Sequence, residues 1–326
     1  MKVVNAESLA YPAEARALLA SLGEVVELDG ERSLLIHEAS DADILIVRLG
    51  NQIDNEVLSA CRKLRVIVSA TTGLNHVDVE EASRRGIVVI SLKGDLAFLE
   101  SVTATAEHAW GLLLSLARHQ LASSRSVVEG EWDRDRFKGT QLSGKTLGIL
   151  GLGRLGRMVA EYARAFRMNV LFCDPHVHGE VEGGRKVEML DLFEMSDVVS
   201  VHASFSESNR RIVNADCFSR MKSTAFFINT ARGELVDEQA LLHALEQNRI
   251  AGAALDVLDA EAGKSHAWFH DHPLVRYSRL NENLVITPHI GGATAESMKN
   301  AEIHVVKKLM DFLSASGGSL PVQRSV

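Results

Sequence analysis

Short apolar runs of four or five residues alternate along this chain with longer segments whose apolar positions recur at helical spacing. That alternation is the mark of repeated strand–helix units built around a parallel sheet, an α/β fold. In the first hundred residues it predicts strands at 25–28, 44–47, 66–69 and 87–90, with amphipathic helices such as 13–22 and 55–60 among them. A stretch too long for a strand follows at 101–121, with Trp110, Leu113, Leu114 and Ala117 at helical spacing and Glu107 in its first turns. Its uncharged middle predicts a buried helix that links two domains. Beyond a polar loop carrying Gly130, Trp132 and Gly139, a second series predicts strands at 146–150, 170–173, 198–201, 225–229, 252–256 and 284–287. Helices fill the gaps, 239–247 among them, and an amphipathic helix over 295–314 precedes a tail of small residues.

The length of 326 residues agrees with two domains rather than one core. With 35 basic against 43 acidic side chains, the formal charge of −8 argues against nucleic acid or an anionic membrane as the main partner. An anion would have to be held by a few placed groups. Cys61, Cys173 and Cys217 are scattered and form no CxxC pair, which suits a reducing compartment. The opening MKVVNAESLAYPAEARALLASLG lacks the uninterrupted apolar core of a signal peptide, and no segment reaches membrane-spanning length. A soluble, cytoplasmic protein is the expectation.

Four stretches carry chemistry. GLGRLG at 151–156 follows the strand TLGIL and opens a helical segment, the context in which a GxGxxG string binds a dinucleotide. Gly151 permits the tight turn, Gly153 admits a pyrophosphate to the backbone, and Gly156 lets helix and strand pack closely. Asp174 lies 18 residues past Gly156 at the end of NVLFC, where its carboxylate would bind ribose hydroxyls and repel a 2′-phosphate, favouring NAD over NADP. Arg232, after the apolar run ending INTA, stands where open α/β sheets bind ligands and could grip a carboxylate through two parallel N–H groups. Taken alone, an arginine there is more often a surface cap of a helix start. AGAALDVLDAE (251–261) brings Asp256 and Glu261 to a strand end, and NLVITPHIGG (283–292) brings His289. Three chemically distinct side chains on one sheet edge, beside a dinucleotide turn, suggest a hydride-transfer centre.

Over nearly its full length the chain resembles the D-isomer-specific 2-hydroxyacid dehydrogenases, phosphoglycerate dehydrogenase-like members included. The resemblance is carried by GKTLGILGLGRLG (144–156), FINTARGELVDEQALLHAL (227–245), AGAALDV (251–257) and NLVITPHIGG (283–292), with TAEHAWGLLLSLAR (105–118) and IVSATTGLNHVD (67–78) in support. It implies two Rossmann-like or flavodoxin-like parallel-sheet domains: a discontinuous substrate domain from 1–100 and 292–326, and an inserted NAD-binding domain at 101–291, with the active site in the cleft between. It implies that Arg232 binds substrate, that His289 is the acid/base and that Glu261 orients it. The implied cofactor contacts are Gly151, Gly153, Arg154, Leu155, Gly156, Asp174, His202, Ala203, Thr230, Ala231, Asp256 and Gly292. The implied substrate contacts are Arg48, Ala70, Thr71, Thr72 and Gly73 besides Arg232, and a homodimer through the NAD-binding domain is implied as well, with the 101–121 helix as a contributor.

Physical chemistry agrees with this assignment. Reduction of a 2-oxo acid needs a proton for the developing alkoxide, which an imidazolium supplies near neutral pH. Glu261 would favour the charged ring, and Arg232 would bind the carboxylate and polarise the ketone. No metal is expected. His266 and His270 stand four apart with His272 nearby, but no cysteine accompanies them and a surface loop is the commoner outcome. Several departures from the family pattern leave the substrate open: Ala262 follows Glu261 where proline is usual, the segment after it is long and bears Trp268 and three histidines, and His202 is followed by Ala-Ser. Glyoxylate, hydroxypyruvate and 3-phosphoglycerate are all compatible. An NAD(H)-sensing corepressor is the alternative from another class, and formate dehydrogenase fits less well. With the sequence ending at Val326, soon after its last helix, the C-terminal regulatory domain of some phosphoglycerate dehydrogenases is not expected.

Overall fold

The structure, a computed structural model, describes residues 1–29, 32–178, 183–259, 261 and 268–316. It separates into two compact units, one formed by Met1–Ser101 with the chain from Thr294 onward, the other by Val102–Glu261 with the stretch that ends at Ala293.

In the first unit β1 (Lys2–Asn5), β2 (Glu24–Glu27), β3 (Ile44–Val47), β4 (Val66–Ser69) and β5 (Val88–Ser91) form one sheet of order β2-β1-β3-β4-β5. All neighbours are parallel, Val47 standing opposite Ser69. β3 and β4 read ILIV and VIVS and are buried throughout, as strands covered on both faces must be. The apolar pattern misses β1, because Val3 and Val4 are only two apolar residues between polar neighbours. Pairing on both sides is what makes it a strand, and both valines are fully buried. The C-terminal helix Ala295–Ala315, capped by Thr294 accepting from the Ser297 N–H, lays Ala301, Val305, Val306, Leu309 and Leu313 into this core.

The second unit holds β6 (Thr146–Leu150), β7 (Asn169–Cys173), β8 (Arg185–Lys186), β9 (Val198–Val201), β10 (Phe226–Asn229), β11 (Gly252–Leu255) and β12 (Leu284–Ile286). Their order is β12-β11-β10-β9-β6-β7-β8, and every pairing is parallel. The chain therefore winds one way from β6 through β7 and β8, then returns and winds the other way from β9. Between β6 and β9 lies the switch point at which such sheets take ligands, at their carboxyl edge. The exposed two-residue β8 has no apolar signal and was not expected.

The long helix differs from expectation. It runs over Ala104–Ala117 and lies wholly in the second unit, so it is not a link between the two. Trp110, Leu113, Leu116 and Ala117 pack in the core shared with Leu147, Ile149, Ile228 and Ala254. His119, with φ of 50°, ends it in the left-handed region, and a separate helix Gln120–Val128 occupies what reads as polar loop.

Candidate active site

Because its strands are parallel, the second sheet delivers the ends of β6, β7, β9, β10, β11 and β12 to one edge. At β6 the chain turns at Gly151 with φ of +93°, a conformation that favours glycine. A Cβ on Gly151 would also stand 2.5 Å from the Ala203 nitrogen, so the turn lies directly against the end of β9. Gly153 begins the helix Arg154–Ala165, and a Cβ there would meet nothing within 4 Å. The first N–H groups of that helix have no intrahelical acceptor and are suited to a phosphate. The Arg154 guanidinium turns away and donates to the Val102 carbonyl, which leaves the backbone of Arg154, Leu155 and Gly156 as the cradle.

Asp174, the residue after β7, accepts from the Leu152 N–H at 2.8 Å and the His176 N–H at 2.8 Å. Its carboxylate is thereby held beside the glycine turn. Past β9, His202 Nε2 bonds Ser200 Oγ at 2.8 Å, while burial pushes the imidazole down to about 4 and keeps it neutral at pH 7. His202 Nδ1 and Thr230 Oγ1 are buried without a hydrogen-bond partner among the described residues. Buried polar atoms are nearly always paired, so two of them on neighbouring strand ends beside the glycine turn fit a polar cofactor group. The residues present therefore fit a nicotinamide dinucleotide.

Past β10, Asn229 organises the next turn: its Oδ1 accepts from the Ala231 N–H at 3.0 Å and its Nδ2 donates to the Arg232 carbonyl at 2.9 Å. Arg232 Nη1 donates to the Ala231 carbonyl at 2.6 Å. Burial pushes the guanidinium's pKa down while the Glu234 and Glu261 carboxylates oppose that. Arginine stays charged under such a shift, and its partial desolvation strengthens any bond to an anion. A Cβ on Gly233 would run into the backbone of Leu258 and Asp259, so the Arg232 turn and the Glu261 loop abut. Glu238 braces that loop, accepting from the Asp259 N–H at 2.8 Å and facing His272 Nε2 at 3.1 Å.

The histidine turn is built on Asp256, which is 1% exposed. Asp256 Oδ1 accepts from Thr287 Oγ1 at 2.6 Å and the Ile290 N–H at 2.9 Å, and Oδ2 accepts from the Gly291 N–H at 2.7 Å. His108 Nε2 completes the network, 2.9 Å from Thr287 Oγ1 and 3.2 Å from Asp256 Oδ1. A Cβ on Gly291 would lie 2.9 Å from Asp256 Oδ2, so only glycine brings the backbone this close. Asp256, expected beside the nicotinamide, thus has both oxygens engaged inside the protein, and its visible role is to hold the turn. The turn sets His289 at φ of 53°, with its N–H bonded to the Asp256 carbonyl at 2.8 Å. His289 Nδ1 contacts Glu261 Oε1, and Glu261 Oε2 accepts from the Leu258 N–H at 3.0 Å. A carboxylate at Nδ1 favours a proton there and leaves Nε2 as the ring nitrogen suited to exchange one.

In the first unit, Ala70–Gly73 forms the turn after β4. Thr71 Oγ1 donates to the Gly73 carbonyl at 2.8 Å and lies 2.8 Å from Ser69 Oγ, which also meets His76 Nε2 at 3.1 Å. Thr72 is exposed. Arg48, after the neighbouring β3, faces Glu302 of the C-terminal helix, with Nε and Oε1 2.7 Å apart. Of the histidine-bearing segment, His266 lies outside the described residues. His270 stacks on Phe269 with ring centroids 4.5 Å apart, and Trp268 meets His272 edge-on. Gly292 is exposed beside the histidine turn. The sequence marks His108 only as a structural helix residue, without its partners, and gives Glu302 no role. The first is 179 residues from Thr287, with no local signal. The second has one: it is a carboxylate on the apolar face of the last helix.

Two parallel α/β units, one with a dinucleotide turn at its switch point and an arginine, a carboxylate and a histidine along the same edge, define an α/β fold of the dinucleotide-binding class. Residues 110–291 match the family model for the D-isomer specific 2-hydroxyacid dehydrogenase, NAD binding domain. The chain is similar to D-3-phosphoglycerate dehydrogenase of Methanocaldococcus jannaschii, 36% identical over 305 residues that cover 92% of this chain and 55% of that protein. It is similar to hydroxypyruvate reductase of Thermotoga maritima, 34% identical over 294 residues covering 89% of this chain and 91% of the relative. The chain spans little more than half the length of the archaeal phosphoglycerate dehydrogenases it matches, 55% and 59% of them. The crystal structure of a Thermus thermophilus protein superimposes with a TM-score of 0.83 at 31% identity, covering 100% of both chains. D-Lactate dehydrogenase of Aquifex aeolicus, complexed with NAD and lactic acid, gives a TM-score of 0.83 at 26% identity over 97% of this chain and 96% of that one. The chain belongs to the D-isomer specific 2-hydroxyacid dehydrogenase family.

Proposed function

We propose that this protein interconverts a D-2-hydroxy acid and its 2-oxo acid with NAD as hydride carrier. The observation that carries the reading is the His289–Glu261 contact, formed beside the Arg232 turn on the edge that also holds the glycine turn. When bound, the nicotinamide cofactor supplies the hydride chemistry. Arg232 binds the substrate carboxylate and draws electron density toward the ketone oxygen. His289 Nε2 gives a proton to that oxygen in reduction and takes it from the hydroxyl in oxidation. Glu261 holds the ring orientation, and Asp256, Thr287 and His108 hold the histidine backbone. Gly151, Gly153 and the helix start take the pyrophosphate, and Asp174 takes the ribose hydroxyls in preference to a 2′-phosphate. The Ala70–Gly73 turn is assigned to substrate binding in its own unit.

Two copies are proposed to pair through the second unit. Leu121, Val127 and Val128 on the helix Gln120–Val128 are 57%, 52% and 86% exposed, and Trp132 is 89% exposed. These, rather than the buried Ala104–Ala117 helix, provide the apolar surface. The acidic net charge favours small-molecule substrates over nucleic acid or an anionic membrane, and no described helix is long and apolar enough to cross a membrane. A cytoplasmic location is proposed on the same composition. The test is NADH oxidation, followed by absorbance, with glyoxylate, hydroxypyruvate, pyruvate and 3-phosphohydroxypyruvate. Turnover of at least one supports the reading. NADH binding without turnover of any 2-oxo acid would replace it with a cofactor-sensing role.

A further inference from the structure

Arg48 stands at the carboxyl end of β3, and the Ala70–Gly73 turn stands at the carboxyl end of β4, its paired neighbour. An arginine so placed is the natural ligand for a second acidic group on a substrate, a phosphate above all, provided that its fork of N–H groups is free. Here it is not. Nε faces Glu302 Oε1 at 2.7 Å, Nη2 donates to the Leu9 carbonyl at 3.1 Å, and the guanidinium carbon lies 5.8 Å from the centroid of the Tyr11 ring. Glu302 itself is 3% exposed, on the helix face that also buries Val305, Val306 and Leu309. A carboxylate in that position would be poorly accommodated without the arginine, so the two groups hold each other.

We infer that Glu302 withdraws Arg48 from substrate recognition, and that this enzyme selects a 2-oxo acid without a phosphate group over its phosphorylated counterpart. The inference rests on the dehydrogenase reading and refines its substrate class. Two effects act together. With Glu302 ionised the pair's net charge is near zero, so a phosphate dianion gains little from approaching it, and the Nε/Nη2 edge of the guanidinium is taken up by the Glu302 ion pair and the Leu9 carbonyl. Lys93, which follows β5 at the same sheet edge, is exposed, and a solvated lysine contributes little discrimination. Glu302 is in these terms a positioning residue: it acts through Arg48 and touches no substrate.

The test compares wild type with Glu302→Gln and Glu302→Ala at pH 8. The NADH complex is titrated calorimetrically with D-glycerate and with D-3-phosphoglycerate, and turnover is measured in parallel with hydroxypyruvate and 3-phosphohydroxypyruvate. The expected wild-type result is tighter binding and faster turnover of the unphosphorylated member of each pair. Both variants should move the ratio toward the phosphorylated member by about tenfold or more, since release of one arginine adds a charge-assisted contact. Loss of packing alone would lower both acids together and leave the ratio unchanged. A wild-type preference for the phosphorylated acid, or an unchanged ratio in both variants, overturns the inference. If neither acid is turned over, the dehydrogenase reading fails, while the calorimetric ranking still decides the role of Glu302.

Discussion

His289 combines three properties that seldom coincide in a structural histidine: a left-handed backbone, a carboxylate at one ring nitrogen and a side chain left 27% exposed. Backbone strain of this kind persists where the surroundings over-determine it, and here Asp256 does so through three protein hydrogen bonds. His289→Ala is therefore expected to lower kcat by about 10²–10⁴-fold, the usual contribution of a placed acid/base. NADH affinity, read by fluorescence titration, should be nearly unchanged because the proposed role of the ring is toward the substrate. Near-normal turnover in that variant would remove His289 from the chemistry. Asp174 makes a separate prediction. Asp174→Ala deletes the charge that opposes a 2′-phosphate, so the ratio of kcat/KM for NADPH against NADH should rise, and an unchanged ratio would sink the ribose role. Both side chains were legible in the sequence because each ends an apolar run beside glycine or another recognisable turn. Asp256 was legible as a position but not as a role, since the donors that its carboxylate accepts from lie more than thirty positions away.

The C-terminal helix Ala295–Ala315 carries its prediction through Glu302. Burial pushes this carboxyl up to about 7, with Arg48 pulling the other way, from an ordinary value of 4.5. A group whose folded pKa is raised stabilises the fold fully only below its unfolded value, and that contribution is lost as pH rises through the folded one. Wild type should therefore lose stability between about pH 4.5 and 7 by up to about 3 kcal/mol from this group, at about 1.4 kcal/mol per pKa unit. Glu302→Gln lacks the titration, so urea unfolding of the two proteins at pH 5 and pH 8 should give a smaller pH difference in the variant. Equal pH differences would show that Glu302 does not titrate in this range. At this scale the sequence predicts helix and strand where the apolar signal is long, as in 44–47, 66–69 and 146–150. It misses β1 and β8, where pairing with neighbours rather than composition makes the strand.

For the molecule as a whole, the sheet orders explain why the glycine turn and the candidate site residues share one edge. Strands that all run the same way place every βα loop of the second unit on one side, so glycine turn, arginine, carboxylate and histidine converge without any being adjacent in sequence. Association belongs to this scale too. Replacing Val128 and Trp132 with aspartate removes two of the most exposed apolar side chains, and sedimentation should then report monomer where the proposed pairing predicts a wild-type dimer. Far-UV circular dichroism of the variant should match wild type, because neither side chain enters the core. A variant that sediments like wild type would place the pairing surface elsewhere.

By itself the sequence determined the fold class, and it marked the dinucleotide turn and Arg232, Glu261 and His289 as candidates, because each depends on local periodicity or on a short motif next to a strand end. Only the tertiary structure decided how those groups are held and which of the expected ones are free. It tied Asp256 to Thr287 and His108, turned the Arg154 guanidinium to Val102, kept the long helix inside one unit and closed Arg48 onto Glu302. The physical reason is common to all four. A hydrogen bond or ion pair between residues far apart along the chain leaves no periodicity behind, and whether a charge is available to a ligand depends on which partner the fold has already brought beside it.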